Sequence, residues 1–218
     1  MDGSSFREAV ASERATELDR LGSNKLLVAL TGADLTTPAV LSVAAASEAA
    51  ARDTFAAWAD DEEDDAARER FAAMAERERA HYDRVIESLR DADPDAAEAF
   101  DPGDDPGPVH GYLRSREGTI ARLAAGTVGR GLVSLRTHAQ VIGFFVNEPD
   151  ARRADLFRDL RAETEAALEA GLERLETTCE DEDDWNRARA SAEYVVTLAY
   201  DGYADALREM GVDPKTVC

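Results

Sequence analysis

Apolar residues recur along this chain at three- and four-residue intervals, the spacing that lines one face of an α-helix, and alternating strand-like runs are nearly absent. A first amphipathic segment runs from about Ser5 to Leu21 and ends at Gly22-Ser23. A short apolar stretch from Lys25 to Leu30 follows and meets Gly32. Thr36 or Thr37, with Pro38 behind it, reads as an N-cap and first turn, so a long helix is expected to about Ala59. The acidic run Asp60–Asp65 serves as turn and first helical turn, where negative charge suits the helix dipole, and the next helix runs to about Leu89. Asp91–Pro108 holds four of the seven prolines and reads as a linker. Beyond it come a helix near Gly111–Ala125, a glycine-rich break (Gly126, Gly129, Gly131) and an apolar helix from Leu132 to about Val146. Asn147-Glu148-Pro149-Asp150 turns into a helix reaching about Thr178. Glu180–Asp184 is a second acidic turn, and the last helix ends near Met210-Gly211.

These elements predict one domain: a first hairpin over 35–90, a crossover over 91–110, a second hairpin with its preceding helix over 111–179, and a C-terminal helix over 182–210. Two helical hairpins joined by one long crossover is the ferritin-like way of building a four-helix bundle. The expected fold is therefore all-α, a ferritin-like four-helix bundle with extra N- and C-terminal helices.

Composition agrees, with 44% apolar residues rich in alanine and only 6% aromatic. Charge narrows the partners: 46 acidic against 25 basic residues give a formal net charge of −21. Such a surface repels nucleic acid and anionic lipid. Lys25 and Lys215 are the only lysines; every other basic residue is arginine. An acidic, lysine-poor, alanine-rich chain resembles the proteins of salt-accumulating halophilic archaea, in which salt screens the repulsion. Most of the carboxylates are therefore expected simply to solvate a surface. No apolar run approaches the roughly 18 residues of a transmembrane helix, and Met1–Glu8 lacks a signal-peptide pattern, so a cytoplasmic protein is expected. Cys179 and Cys218 stand far apart and form no CxxC; they could pair, but two separate thiols are the plainer reading.

Chemistry enters where polar residues sit on apolar faces. At about 100° per residue, Phe71, Met74, Ala75, Tyr82, Val85 and Leu89 form a stripe with Glu78 at its centre and His81 on the same face. One helix earlier, Leu41, Ala44, Ala45, Ala51, Phe55 and Ala59 form a stripe centred on Glu48. An unpaired buried carboxylate costs several kcal/mol, so these side chains need a cation, a shared proton or an arginine. Arg52 neighbours Glu48 on the same face and is one candidate. A divalent metal is another, because residues three apart on a helix can both reach one ion.

The stretch Ser47-Glu48-Ala49-Ala50-Ala51 with Phe55, and then Phe71 to Glu78-Arg79-Ala80-His81, resembles the first half of a rubrerythrin-like member of the ferritin-like superfamily. In that family one helix supplies a Glu and the next supplies Glu-x-x-His some thirty residues on; here Glu48 and Glu78 are 30 apart. The resemblance covers about Leu41–Leu89 and implies iron as cofactor, with peroxide or dioxygen reduction, or iron oxidation and storage, as the activity. It also implies a matching second half, and there the sequence departs. His138, seven residues before Phe145, stands where the family has its second lone Glu; Thr164 and Ala167 fall where the second Glu-x-x-His belongs.

Two site readings stay open. One ion (iron, zinc or manganese) is held by Glu48, Glu78, His81 and His138, or Glu163 turns inward and completes a lopsided two-metal site. Glu193, centred on the last helix's apolar stripe, is a further candidate ligand, with Arg189 as its plainer partner. Tyr82, Trp58 and Trp185 read as packing and His110 as an exposed linker residue. There is no rubredoxin-like pair of CxxC motifs, so redox activity needs an external electron donor, and no phosphate loop or nucleophile elbow appears. The competing function is a non-enzymatic helical scaffold or partner-binding protein that has lost the complete site; a homodimer fits either.

Overall fold

A computed structural model describes residues 1–215, and every regular element among them is helical. Cys218, and with it any pairing to Cys179, lies outside the described residues. Helices α1 (Gly3–Glu13), α2 (Ala15–Leu21) and α3 (Lys25–Thr31) precede a long pair, α4 (Thr37–Asp61) and α5 (Asp65–Ala92). Short helices α6 (Pro94–Ala99), α7 (Gly107–Arg114) and α8 (Thr119–Leu123) lead to a π-helical turn, Ala124–Gly129. A second long pair, α9 (Arg130–Asn147) and α10 (Ala151–Thr178), is followed by α11 (Glu182–Glu209). No helix is long and apolar enough to cross a membrane among the described residues.

Aspartates in the turns do more than solvate. Asp64, Asp150 and Asp181 each accept a hydrogen bond from the backbone N–H three residues on, at 2.7, 3.0 and 2.9 Å, and so cap α5, α10 and α11. Thr36 caps α4 in the same way through Ala39, with Pro38 in the first turn. These caps fix the two tight turns that fold α4 against α5 and α9 against α10.

Several local expectations change. The first helix is two, interrupted at Arg14, and Lys25–Thr31 is itself helical. The proline-rich crossover carries α6 and the start of α7, because Asp93 caps the former with Pro94 in its first turn. The helix expected over Gly111–Ala125 is cut at Ser115–Gly118, where Gly118 takes φ +79°, a conformation costly for a residue with a Cβ. The glycines after it do not break the helix. A Cβ on Gly126 would meet the Trp58 ring at 2.5 Å, and one on Gly129 the Ala192 carbonyl oxygen at 2.6 Å. They are absences of side chain that let the π turn lie directly against α4 and α11.

The core falls into layers. On α4, Val40, Leu41, Ala44 and Ala45 belong to one apolar cluster and Ala51, Phe55 and Trp58 to another, with Glu48 between. On α5, Glu78 and His81 separate Phe71 and Met74 from Val85 and Leu89. On α9, His138 separates Leu135 from Val141; on α10, Thr164 separates Leu168 from Leu160. A polar layer thus crosses the four helices of both hairpins at one level.

Candidate metal centre

Glu48, Glu78, His81 and His138 are at most 5% exposed. The helical arithmetic that centred the first three on apolar stripes therefore brings them into one buried cluster. His81 Nδ1 lies 3.8 Å from Glu48 Oε2 and 3.7 Å from Glu78 Oε2. One donor atom from each of the three residues lies within 4.8 Å of the others. His138 Nε2 is 3.4 Å from the other Glu48 oxygen, Oε1. Glu163 is brought to the cluster on a different side. Its Oε2 is 2.9 Å from His81 Nε2, and its Oε1 accepts from Arg84 at 2.7 Å. Glu163 is exposed and holds the back of the imidazole, away from the two buried carboxylates. Thr164, the buried residue of α10 at this level, donates to its own helix at Leu160 O, 2.9 Å away.

The charge that neutralises this layer comes from a residue the sequence reading passed over. Arg130, 5% exposed, begins α9 directly after the π turn. Its Nη1 and Nη2 donate to Glu78 Oε1 and Oε2, both at 3.2 Å, and Nη2 stands 3.6 Å from Glu48 Oε2. The guanidinium also lies over the Phe55 ring, 5.4 Å from its centroid. Arg77 adds a second donor to Glu78 at 2.6 Å. Arg52 does not take this role. It sits one turn beyond Glu48 at the helix edge, bonds to Asp53 and lies over the Tyr82 ring. Glu193 is not in the cluster either; Arg189 and Arg14 bind it, at 2.6 and 3.3 Å.

Burial raises the Glu48 carboxyl, but the hydrogen bond with His138, the nearby His81 imidazole and the Arg130 charge outweigh it, holding Glu48 well below the usual carboxylate range. Burial also raises Glu78; Arg130 pulls it down, the neighbouring Glu48 pushes it up, and the result stays above the usual range. Burial lowers His81, yet Glu48, Glu78 and Glu163 around it raise the imidazole overall.

The cluster has a gap in its hydrogen bonding. Glu48 Oε2 and His81 Nδ1 are buried without a hydrogen-bond partner. If His81 is neutral with Nε2–H directed at the Glu163 carboxylate, Nδ1 presents a lone pair to two carboxylate oxygens. Three lone pairs facing each other need a proton on Nδ1 or a cation between them. Ligand atoms bound at about 2.1 Å around one tetrahedral ion stand about 3.4 Å apart. His81 Nδ1 already lies 3.8 and 3.7 Å from the two carboxylate oxygens, and the three donors lie within 4.8 Å of one another, so a modest closing movement fits one ion here. A carboxylate on the far nitrogen of a ligating imidazole is the usual orienting arrangement. The residues fit a single metal.

His110, expected to be exposed in the linker, is 7% exposed on α7. Its Nδ1 is 3.0 Å from Thr54 Oγ1, and burial with Arg130 and Arg114 nearby pushes its pKa down to about 3. No protein-family model matches the chain, and neither a curated protein nor a solved structure matches it.

Proposed function

We propose that this chain is a metal-binding protein of ferritin-like, rubrerythrin-like kind that holds one divalent ion through Glu48, Glu78 and His81. The observation that carries this reading is a pair of buried atoms with no hydrogen bond among the described residues, Glu48 Oε2 and His81 Nδ1, which lie 3.8 Å apart, with Glu78 Oε2 3.7 Å from the same imidazole nitrogen. Iron is the ion the family resemblance implies; zinc and manganese suit the same donors. When bound, the metal supplies a Lewis acid and, if iron or manganese, a redox couple for peroxide or dioxygen reduction or for iron handling, with an external electron donor.

The protein's own residues divide the work. Glu48 and Glu78 neutralise the ion, and His81 adds a nitrogen donor whose ring is held by Glu163. Arg130 occupies the part of the layer where a second ion would need Glu78, so the reading is one metal and not two. His138 steadies Glu48 from the opposite oxygen. The test is titration calorimetry of EDTA-treated protein with Mn(II) and Zn(II). Wild type binds near one equivalent and His81→Leu binds none; undiminished binding by His81→Leu refutes the assignment.

Arg130 also favours a second reading, a scaffold in which buried arginine–carboxylate pairing is the whole content of the layer. In that case His81→Leu leaves stability unchanged or raises it, and neither protein binds metal.

A further inference from the structure

A cavity of about 370 Å³ opens beside the polar layer. This is within the size range of small-molecule sites, and corresponds to about twelve water-sized volumes. Its walls are mostly apolar, with Leu26, Leu30, Val40, Val43, Val133 and Leu198 drawn from α3, α4, α9 and α11. Ser47, Ser134, Thr137 and Tyr203 also line it, but the leucine and valine walls offer water few hydrogen-bond partners, so an occupant with an apolar tail suits them. Leu30, 40% exposed, and exposed Gly202 mark the mouth. Glu48, Arg130, His110 and His138 lie at the polar end.

The head group can be read from that end. Thr54 Oγ1 donates to Ala50 O at 2.7 Å, so it must accept from His110 Nδ1–H, and the neutral ring then keeps a lone pair on Nε2. Nε2 has no hydrogen-bond partner among the described residues. Arg130 supplies only donors. A head that both donates and accepts answers this pair, and a hydroxyl does so. An anionic head would be set against Glu48, a charge the cavity already places beside Arg130.

We propose that the cavity is a binding site for an aliphatic alcohol of medium chain length, its tail among the leucines and valines and its hydroxyl between His110 and Arg130. The site stands on the cavity and its lining and does not require the metal.

The test uses the full chain, EDTA-treated and in molar KCl, with affinities from saturation-transfer NMR titrations of 1-octanol, octanoate and 1,8-octanediol. Octanol is expected to bind at least about tenfold more tightly than the other two, because the diol puts a second polar group into the apolar end. A Cβ at Gly202 meets nothing within 4 Å, so the backbone there has room for a side chain, and Gly202→Phe is expected to obstruct the mouth. It should weaken octanol at least about tenfold while circular dichroism and the thermal midpoint hold. Val43→Phe, at a half-buried wall position, is the second plug should the first fail to fold. Absent octanol binding, octanoate binding as tightly as octanol, or undiminished binding in a folded plug variant overturns the proposal. Because no metal is present, any of these results leaves the Glu48–Glu78–His81 reading untouched.

Discussion

Replacing Arg130 by methionine removes the one guanidinium that touches both buried carboxylates while keeping an unbranched side chain of similar reach. Breaking a buried ion pair by deleting one partner costs about 3–5 kcal/mol, because a charge is left behind in the dry interior. Here the loss belongs near the lower end. Glu78 keeps Arg77, and its carboxyl, already above the usual range, can take up a proton instead of remaining charged. At about 3 kcal/mol, and about 2–4 °C per kcal/mol for a chain of this size, the thermal midpoint should fall by about 6–12 °C. The assay is thermal unfolding followed by circular dichroism in molar KCl with EDTA, then with Mn(II). Freed of Arg130, Glu48 and Glu78 should hold the cation more tightly, and Mn(II) at about 100 times its Kd restores about 2.7 kcal/mol. A fall of less than about 3 °C in EDTA refutes Arg130 as the neutralising charge. A large fall that Mn(II) does not reverse favours the scaffold reading.

Glu163→Gln removes the charge that holds the His81 ring and should weaken metal binding about 10–100-fold in calorimetry, with little change in fold, since Glu163 is exposed; unchanged affinity contradicts its orienting role. Metal affinity should rise with pH, because the ion displaces a proton from an imidazole raised above its ordinary 6.5, so the midpoint of that rise lies above 6.5; a pH-independent affinity between 6 and 8 counts against His81 as ligand. Without metal the signs are opposite at the two ends. Stability from the raised His81 is fully present below 6.5 and lost as pH climbs through its folded value, whereas stability from the lowered Glu48 is present above 4.5 and lost as pH falls through its folded value; urea unfolding across pH measures both. Gly126→Ala forces a methyl group against Trp58, where its Cβ would stand 2.5 Å from the ring, and should cost about 1–3 kcal/mol by urea unfolding; a neutral or stabilising result shows the contact yields.

Glu48, Glu78 and His81 were legible in the sequence because their helices are long and regular, and the 100° spacing carries a side chain's direction over several turns. The turns before α5, α10 and α11 were legible too, but not that Asp64, Asp150 and Asp181 are the residues that cap these helices. Arg130 was not. It follows Gly126 and Gly129, which read as a helix break, although they serve close approach to Trp58 and Ala192. Extending the α9 stripe through Thr127 and Val128, both buried, would have drawn Arg130 into a helix and toward the layer. His110 was lost to the same kind of error: the prolines around it suggested an exposed linker, yet Val109, Tyr112 and Leu113 already carry the spacing of a helix with a covered face. Arg52 failed for a different reason, since adjacency on one helix face does not say which neighbour a long side chain prefers, and Asp53 with the Tyr82 ring lies nearer the surface. Glu163 was expected to turn toward the layer, but the sequence could not tell which imidazole nitrogen of His81 it meets, and the structure puts it against Nε2 on the side away from Glu48 and Glu78.

Elemental analysis of wild-type protein, purified without chelator in molar KCl and then equilibrated anaerobically with Fe(II), Mn(II) or Zn(II), bears most directly on the proposed metal site. Close to one ion per chain is expected, lost in Glu78→Gln. No bound metal contradicts the site, and two ions per chain contradict the assignment of Arg130 to the place of the second.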